Sequence, residues 1–101
     1  MTIRELYEII ESRRNSDEST SYTKQLLDRG LDRIIQKVGE ESVEVVIAAK
    51  NDENDKFIGE VADLVYHLLV LLVAKDIKIT DIEKRLDNRS EERRVGKECR
   101  S

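Results

Sequence analysis

Gly39-Glu40-Glu41-Ser42-Val43-Glu44-Val45-Val46-Ile47-Ala48-Ala49-Lys50-Asn51-Asp52-Glu53-Asn54-Asp55-Lys56-Phe57-Ile58-Gly59-Glu60-Val61-Ala62-Asp63 is the stretch that decides the fold. Its ends carry two acidic clusters, Glu40-Glu41-x-x-Glu44 and Glu60-x-x-Asp63, and its middle, Asn51-Asp52, reads as a short turn. With both flanks helical, that turn makes an antiparallel pair. Glu44 and Glu60 then stand nearly equidistant from the turn, as do Glu41 and Asp63, so all four side chains meet at one height between the helices. Converging carboxylates repel: at ~4 Å a like-charged pair costs about 4 kcal/mol at a surface-like effective dielectric. A hard divalent cation that takes oxygen ligands, such as Mg²⁺, is the natural offset.

The flanks do read as helices. Leu31, Ile34, Ile35 and Val38 recur at helical spacing, and Val43, Val45, Val46 and Ile47 then widen the apolar face over a helix of about 31–50. The partner helix covers about 54–75, with Phe57, Ile58, Val61, Leu64, Val65, Leu68, Leu69 and Leu72. Upstream, Thr2 and Glu5 have capping-box spacing and open a first helix that fades by Arg13-Arg14. The polar segment 15–21 reads as a mobile loop, and a short helix over about 22–29 ends at Gly30. Thr80 and Glu83 repeat the capping-box spacing and predict a last helix through about Leu86.

Composition agrees with an all-α bundle of four to five helices. Charged residues make up 40% of the 101 residues, aromatics 4%, and proline is absent, a balance suited to helices with solvated outer faces. Residues 1–88 are read as one small domain; the charged tail 89–101, with no apolar stripe, is set apart as disordered or extraneous to the fold. A net charge of −4 speaks against general nucleic-acid binding. The single cysteine, Cys99, fits a reducing cytoplasm. The apolar run Leu64–Ala74 is too short to span a bilayer and is expected to be buried spine.

Acids on helices often form a solvated face with i,i+4 salt bridges. Here Glu44 has no basic residue three or four positions away in either direction, and Asp63 has only His67. Val43, Val45, Val61 and Leu64 flank the acids and set them beside the core, which favours a metal site. His67 follows Asp63 by four and is expected to hydrogen-bond that carboxylate. Gly39 and Gly59 precede the two clusters inside helices, where glycine costs roughly 1 kcal/mol relative to alanine. Either close helix packing or the approach of a phosphate or ribose would account for them. Lys24, Arg29, Arg33 and Lys37 are either ordinary surface charge or a basic set suited to polyphosphate, and the hydroxyls of 19–23, Ser21 and Tyr22 among them, either belong to a polar linker or suit the same ligand.

Four segments together resemble the phosphoribosyl-ATP pyrophosphohydrolase family, within the all-α, MazG-like pyrophosphohydrolases. They are Ser21-Tyr22-Thr23, Lys37-Val38-Gly39-Glu40-Glu41-x-x-Glu44, Ala48-Ala49-Lys50 and Glu60-x-Ala62-Asp63-Leu64-x-Tyr66-His67-Leu68-Leu69-Val70-Leu71-Leu72. The resemblance spans 1–88. It implies hydrolysis of phosphoribosyl-ATP to phosphoribosyl-AMP and pyrophosphate, the second step of histidine biosynthesis. It makes Glu41, Glu44, Glu60 and Asp63 the Mg²⁺ ligands, and Glu40 a supporting carboxylate or the base that orients water. Chemistry, not the motif, gives Lys37 the neutralising of phosphate charge and Ser21, Tyr22, Lys24 and Arg33 contacts with substrate; the resemblance implies a homodimer. The nearest rival is a sister enzyme acting on free or modified nucleoside triphosphates. A di-iron bundle is disfavoured, because neither acidic motif carries the Glu-x-x-His pair such sites use. A non-catalytic helical interaction module, with the acids as surface, is the remaining reading.

Overall fold

The computed structural model describes residues 1–16 and 21–96. Among them are five helices and no strand: α1 (Ile3–Arg14), α2 (Tyr22–Arg29), α3 (Leu31–Ala49), α4 (Asn54–Ala74) and α5 (Ile79–Gly96). The loop expected over 15–21 lies mostly outside the described residues, as do positions 97–101 with Cys99.

Local chemistry sets most of the boundaries. Thr2 and Glu5 form the reciprocal capping box at the start of α1. Ser21 caps α2, its hydroxyl oxygen accepting from the Lys24 amide at 3.3 Å. Gly30 alone separates α2 from α3. Its φ of 98° lies where a side chain is strained, so glycine lets one residue end one helix and begin the next. The end of α4 uses a less common solution. Asp76 takes φ 59°, Ile77 N–H bonds Leu72 O at 2.9 Å and Asp76 N–H bonds Val73 O at 3.1 Å, the pairing of a Schellman turn. Arg14 reaches across from α1 to the Asp76 carboxylate and to the Val73 carbonyl.

Two expectations about α5 fail. The helix begins at Ile79, so Thr80 lies inside it, and the Glu83 carboxylate pairs with Arg4 of α1 instead of turning back to Thr80. It also continues past Leu86 to Gly96, with no proline on the way and with the helix formers Arg89, Glu91, Glu92, Arg93 and Arg94 among weaker residues.

The core gathers at one end of the molecule. Tyr7 and Ile10 of α1, Leu26 of α2, Ile34 of α3, and Leu69, Val70 and Val73 of α4 form one buried cluster, with Ile79 of α5 packed on its edge. The Tyr7 hydroxyl donates to Ile77 O at 2.8 Å. The C-terminal half of α4 is therefore the spine that the sequence predicts. Taken whole, α4 is long and apolar enough to cross a bilayer by length and composition, which Leu64–Ala74 alone did not suggest. Its first half nevertheless carries Lys56, Glu60 and Asp63, costly in lipid, and its second half is packed into this core.

α3 and α4 pack along each other and project beyond α1 and α2. At the projecting end only Ala48 is fully buried, while Val43, Val46, Ile47 and Ile58 are exposed. Gly39 and Gly59 lie on this hairpin, and no neighbouring group comes within 4 Å of where a Cβ on either would stand, so close packing within the chain does not explain them.

Candidate metal and phosphate site

The hairpin brings three of the four expected metal ligands together. Ligand oxygens of Glu41, Glu60 and Asp63 lie within 4.8 Å of one another. Glu41 and Glu60 are half-buried and Asp63 is exposed, so the group opens to solvent at one side of the helix pair. Glu44 is exposed and outside this group. It lies one turn from Glu41 on the same flank of α3, nearer the hairpin bend, and holds no ion pair among the described residues.

Charge around the trio is uneven. On the α3 side, Lys37 Nζ is 3.3 Å from Glu41 and 3.7 Å from Glu40. Glu40 also faces Arg33 at 3.8 Å and accepts from the Gln36 amide at 3.3 Å. On the α4 side, Glu60 and Asp63 have no basic partner among the described residues. Of the three converging carboxylates only Glu41 has a cation within ion-pair reach, and the remaining negative charge suits a divalent cation with oxygen ligands. Burial alone would lower the Lys37 pKa. The hydrogen bond to Glu41 and the negative charges of Glu41 and Glu40 outweigh it and leave the pKa raised.

The start of α2 closes the other flank. Tyr22, half exposed at the surface, brings its hydroxyl to 3.1 Å from His67 Nε2. The Thr23 hydroxyl bonds the Tyr66 hydroxyl. The Tyr66 and His67 rings meet edge-on, 5.0 Å apart, and the Tyr22 ring lies 6.0 Å from His67. Burial raises the Tyr66 pKa, against the opposing pull of the Thr23 hydrogen bond.

His67 does not bond the Asp63 carboxylate, as its spacing suggested. Its Nδ1 lies 2.7 Å from the Asp63 main-chain oxygen, because a histidine on a helix reaches the carbonyl one turn back more directly than the side chain. The substrate-contact candidates also divide. Arg33 stands by Glu40, and Tyr22 reaches His67. Lys24 is turned away to tie the helices, donating to Arg14 O at 2.9 Å and pairing with Asp28 at 3.1 Å. Ser21 is engaged as the α2 cap, and positions 19 and 20 lie outside the described residues. Sequence reasoning missed Gln36, four residues before Glu40, and the part of Tyr66, whose hydroxyl anchors Thr23. The i,i+4 spacing of Gln36 and Glu40 was the available signal.

Comparison with known proteins agrees with this geometry. The sequence model of a family described as phosphoribosyl-ATP pyrophosphohydrolase matches residues 3–90. A phosphoribosyl-ATP pyrophosphatase of Clostridium botulinum (strain Hall) is 52% identical over 86 residues, covering 85% of this chain and 78% of the relative. One from Listeria innocua is 53% identical over 85 residues, covering 84% of this chain and 82% of the relative. The histidine biosynthesis bifunctional protein HisIE of Caldanaerobacter subterraneus is 49% identical over 87 residues, which are 86% of this chain but 42% of that protein. With its carboxylate-bearing hairpin inside the matched span, the chain belongs to the phosphoribosyl-ATP pyrophosphohydrolase family.

Proposed function

We propose that this chain hydrolyses phosphoribosyl-ATP to phosphoribosyl-AMP and pyrophosphate with Mg²⁺ held by the α3–α4 hairpin. The observation that carries the reading is the meeting of Glu41, Glu60 and Asp63 within 4.8 Å with one lysine to balance them, on a chain of this family. Glu44, one turn from Glu41, completes the ligand set. Bound Mg²⁺ would screen phosphate charge, favour attack by water and stabilise the departing pyrophosphate.

The chain's own groups divide the remaining work. Glu40, exposed and steadied by Arg33, Gln36 and Lys37, accepts a proton from the attacking water. Lys37, its pKa raised, stays an ammonium ion across the neutral range and meets phosphate oxygens, with Arg33 beside it. Ser21 accepts at the α2 cap and still has its hydroxyl proton to donate, while Lys24, tied to Arg14 O and Asp28, holds the start of α2 in place.

A second copy of this chain covers the exposed apolar side of the hairpin. Leu31 and Ile35 of α3, Val46 and Ile47 nearer the bend, and Ile58 of α4 would otherwise remain in water, and the open space at Gly39 and Gly59 lets a partner approach closely. Val46→Asp is expected to convert a sedimenting dimer into monomer; an unchanged sedimentation coefficient would remove this face from the interface. The same reading assigns the reaction to the cytoplasm, in keeping with the single cysteine.

The deciding assay is pyrophosphate release from phosphoribosyl-ATP, with ATP, dATP and dUTP in parallel. Strong preference for phosphoribosyl-ATP, lost on EDTA treatment, is expected. Turnover of the simple triphosphates instead would move the chain to the sister activity. Glu44→Gln should weaken Mg²⁺ affinity roughly tenfold; unchanged affinity would take Glu44 out of the ligand set.

A further inference from the structure

The aromatic residues of this chain are three tyrosines and one phenylalanine, and they differ in what covers them. Tyr7 is buried, and Phe57 and Tyr66 are partly covered. Tyr22 alone is exposed, with 51% of its surface in water. It is nevertheless held. Its hydroxyl is 3.1 Å from His67 Nε2, its ring meets the imidazole nearly at right angles, and it lies beside Tyr66 at a tilt of 30°. The Thr23 and Tyr66 hydroxyls also bond each other, so two adjacent residues of α2 are clasped to two adjacent residues of α4. An open aromatic ring is thus kept in one orientation, with its polar tip engaged by the protein.

The register of the hairpin places this ring. Moving from the bend toward the core, Lys37 lies one turn beyond Glu41 on α3, and His67 one turn beyond Asp63 on α4. The Lys37 ammonium reaches Glu41 at 3.3 Å, and His67 Nδ1 reaches the Asp63 main-chain oxygen at 2.7 Å. Carboxylates, then a cation and an imidazole, then the Tyr22 ring therefore succeed one another toward α2. A nucleotide has a matching order of charged phosphates, a sugar and a flat base with an apolar face. We infer that the face of the Tyr22 ring is a stacking platform for the base of a nucleotide whose phosphates lie at the α3–α4 carboxylates. This rests on the proposed phosphate site and names how the other end of the same ligand is held. Stacking on an aromatic side chain adds affinity without reading the hydrogen-bonding edge of the base. A ring already fixed by His67 and Tyr66 loses little freedom when a base lies on it. The ring, and not the hydroxyl, is what Tyr22 offers to substrate.

Calorimetry on the full chain, with Ca²⁺ in place of Mg²⁺ to suppress turnover, compares ATP with inorganic tripolyphosphate, which has the phosphates and no base. Tyr22→Leu should weaken ATP binding about tenfold and leave tripolyphosphate within about twofold. Tyr22→Phe and Tyr22→Trp, which keep a ring, should stay within about threefold of wild type on both ligands. In proton NMR of the wild-type chain, ATP and not tripolyphosphate should move the Tyr22 ring resonances upfield, the signature of a base lying over them. Equal loss of both ligands in Tyr22→Leu would make Tyr22 a prop for the phosphate site and overturn the inference. A loss in Tyr22→Phe as large as in Tyr22→Leu would return the contact to the hydroxyl. ATP affinity indifferent to Tyr22→Leu, or no binding of either ligand by the wild type, would end the platform outright. So would dissociation of the wild-type assembly in Tyr22→Leu on sedimentation, which would give the ring to a second copy. The two readings fail separately. ATP held through Tyr22 by a chain that releases no pyrophosphate from phosphoribosyl-ATP would end the proposed activity and keep the platform. Turnover with an unchanged KM in Tyr22→Leu would do the reverse.

Discussion

The two ends of the α3–α4 pair are built on opposite principles. At the end where α1 and α2 pack, seven side chains from four helices close into a buried cluster, and the charged groups nearby are paired: Arg14 with Asp76, Lys24 with Asp28. At the projecting end three carboxylates converge, two of them without a basic partner among the described residues, and only Ala48 is fully buried. Stability is concentrated where the chain is covered, and chemistry where it is left bare. Placing repelling charge beside a well-packed core would set the two against each other; the length of the hairpin keeps them apart.

That separation can be broken from either end. At the bare end, Asp63→Asn should reduce pyrophosphate release by about a hundredfold or more, as expected when a charged group is removed from phosphoryl-transfer chemistry. Its melting temperature should stay at or slightly above the wild-type value, because one of three like charges is gone. A cooperative loss of fold in this variant would mean that the acids also hold the structure together. At the covered end, Ile34→Ala should cost about 2–5 kcal/mol in a denaturant titration, since Ile34 is fully buried and its neighbours come from several helices. The material that remains folded should keep a near-normal kcat; a large fall in kcat there would join the two regions after all.

Alkaline pH probes the covered end more gently. Burial, then the nearby Glu11 charge, raises the Tyr7 pKa above its ordinary 10.0. The folded state thus holds this proton more tightly than the unfolded chain, and the stability it contributes is complete below pH 10.0 and is lost as pH rises through the folded value. Lys37, also raised, has the same sign above its ordinary 10.5. Melting temperature should therefore fall above about pH 10, and Tyr7→Phe should flatten part of that fall while losing about 1 kcal/mol from the bond to Ile77 O. An unaltered alkaline slope in Tyr7→Phe would assign it to other groups.

The smallest expected effect is at the seam between α4 and α5. Asp76→Gly relieves a left-handed conformation but loses the exposed pair with Arg14, so the two changes nearly cancel and the net gain should be under about 1 kcal/mol. Turnover should not change, since the seam lies at the covered end.

Much of this arrangement is legible in the chain itself. The helices around the acids can be read almost to the residue, because apolar spacing, Gly30 and the turn at Asn51-Asp52 all agree locally. Counting outward from that turn brings Glu41, Glu60 and Asp63 to one place. What counting does not supply is direction. The partner of His67 is a main-chain oxygen, Lys24 faces Arg14, and Glu83 faces Arg4, each set by side-chain reach and competing partners. Gly39 and Gly59 stay open to two readings in the sequence, because spacing does not say whether a neighbour exists; within this chain none does.

The distribution of aromatic rings has a practical consequence. The chain has no tryptophan and three tyrosines, so almost all of its intrinsic ultraviolet emission comes from Tyr7, Tyr22 and Tyr66. Tyr7 sits in the core, Tyr66 packs on its edge, and Tyr22 lies half exposed beside Tyr66 and His67. The molecule therefore carries its own optical gauges. Replacing Tyr7 with phenylalanine leaves a signal from the Tyr22–Tyr66 pair beside His67, and the arrival of a cation or a nucleotide can be followed there by light with no dye attached.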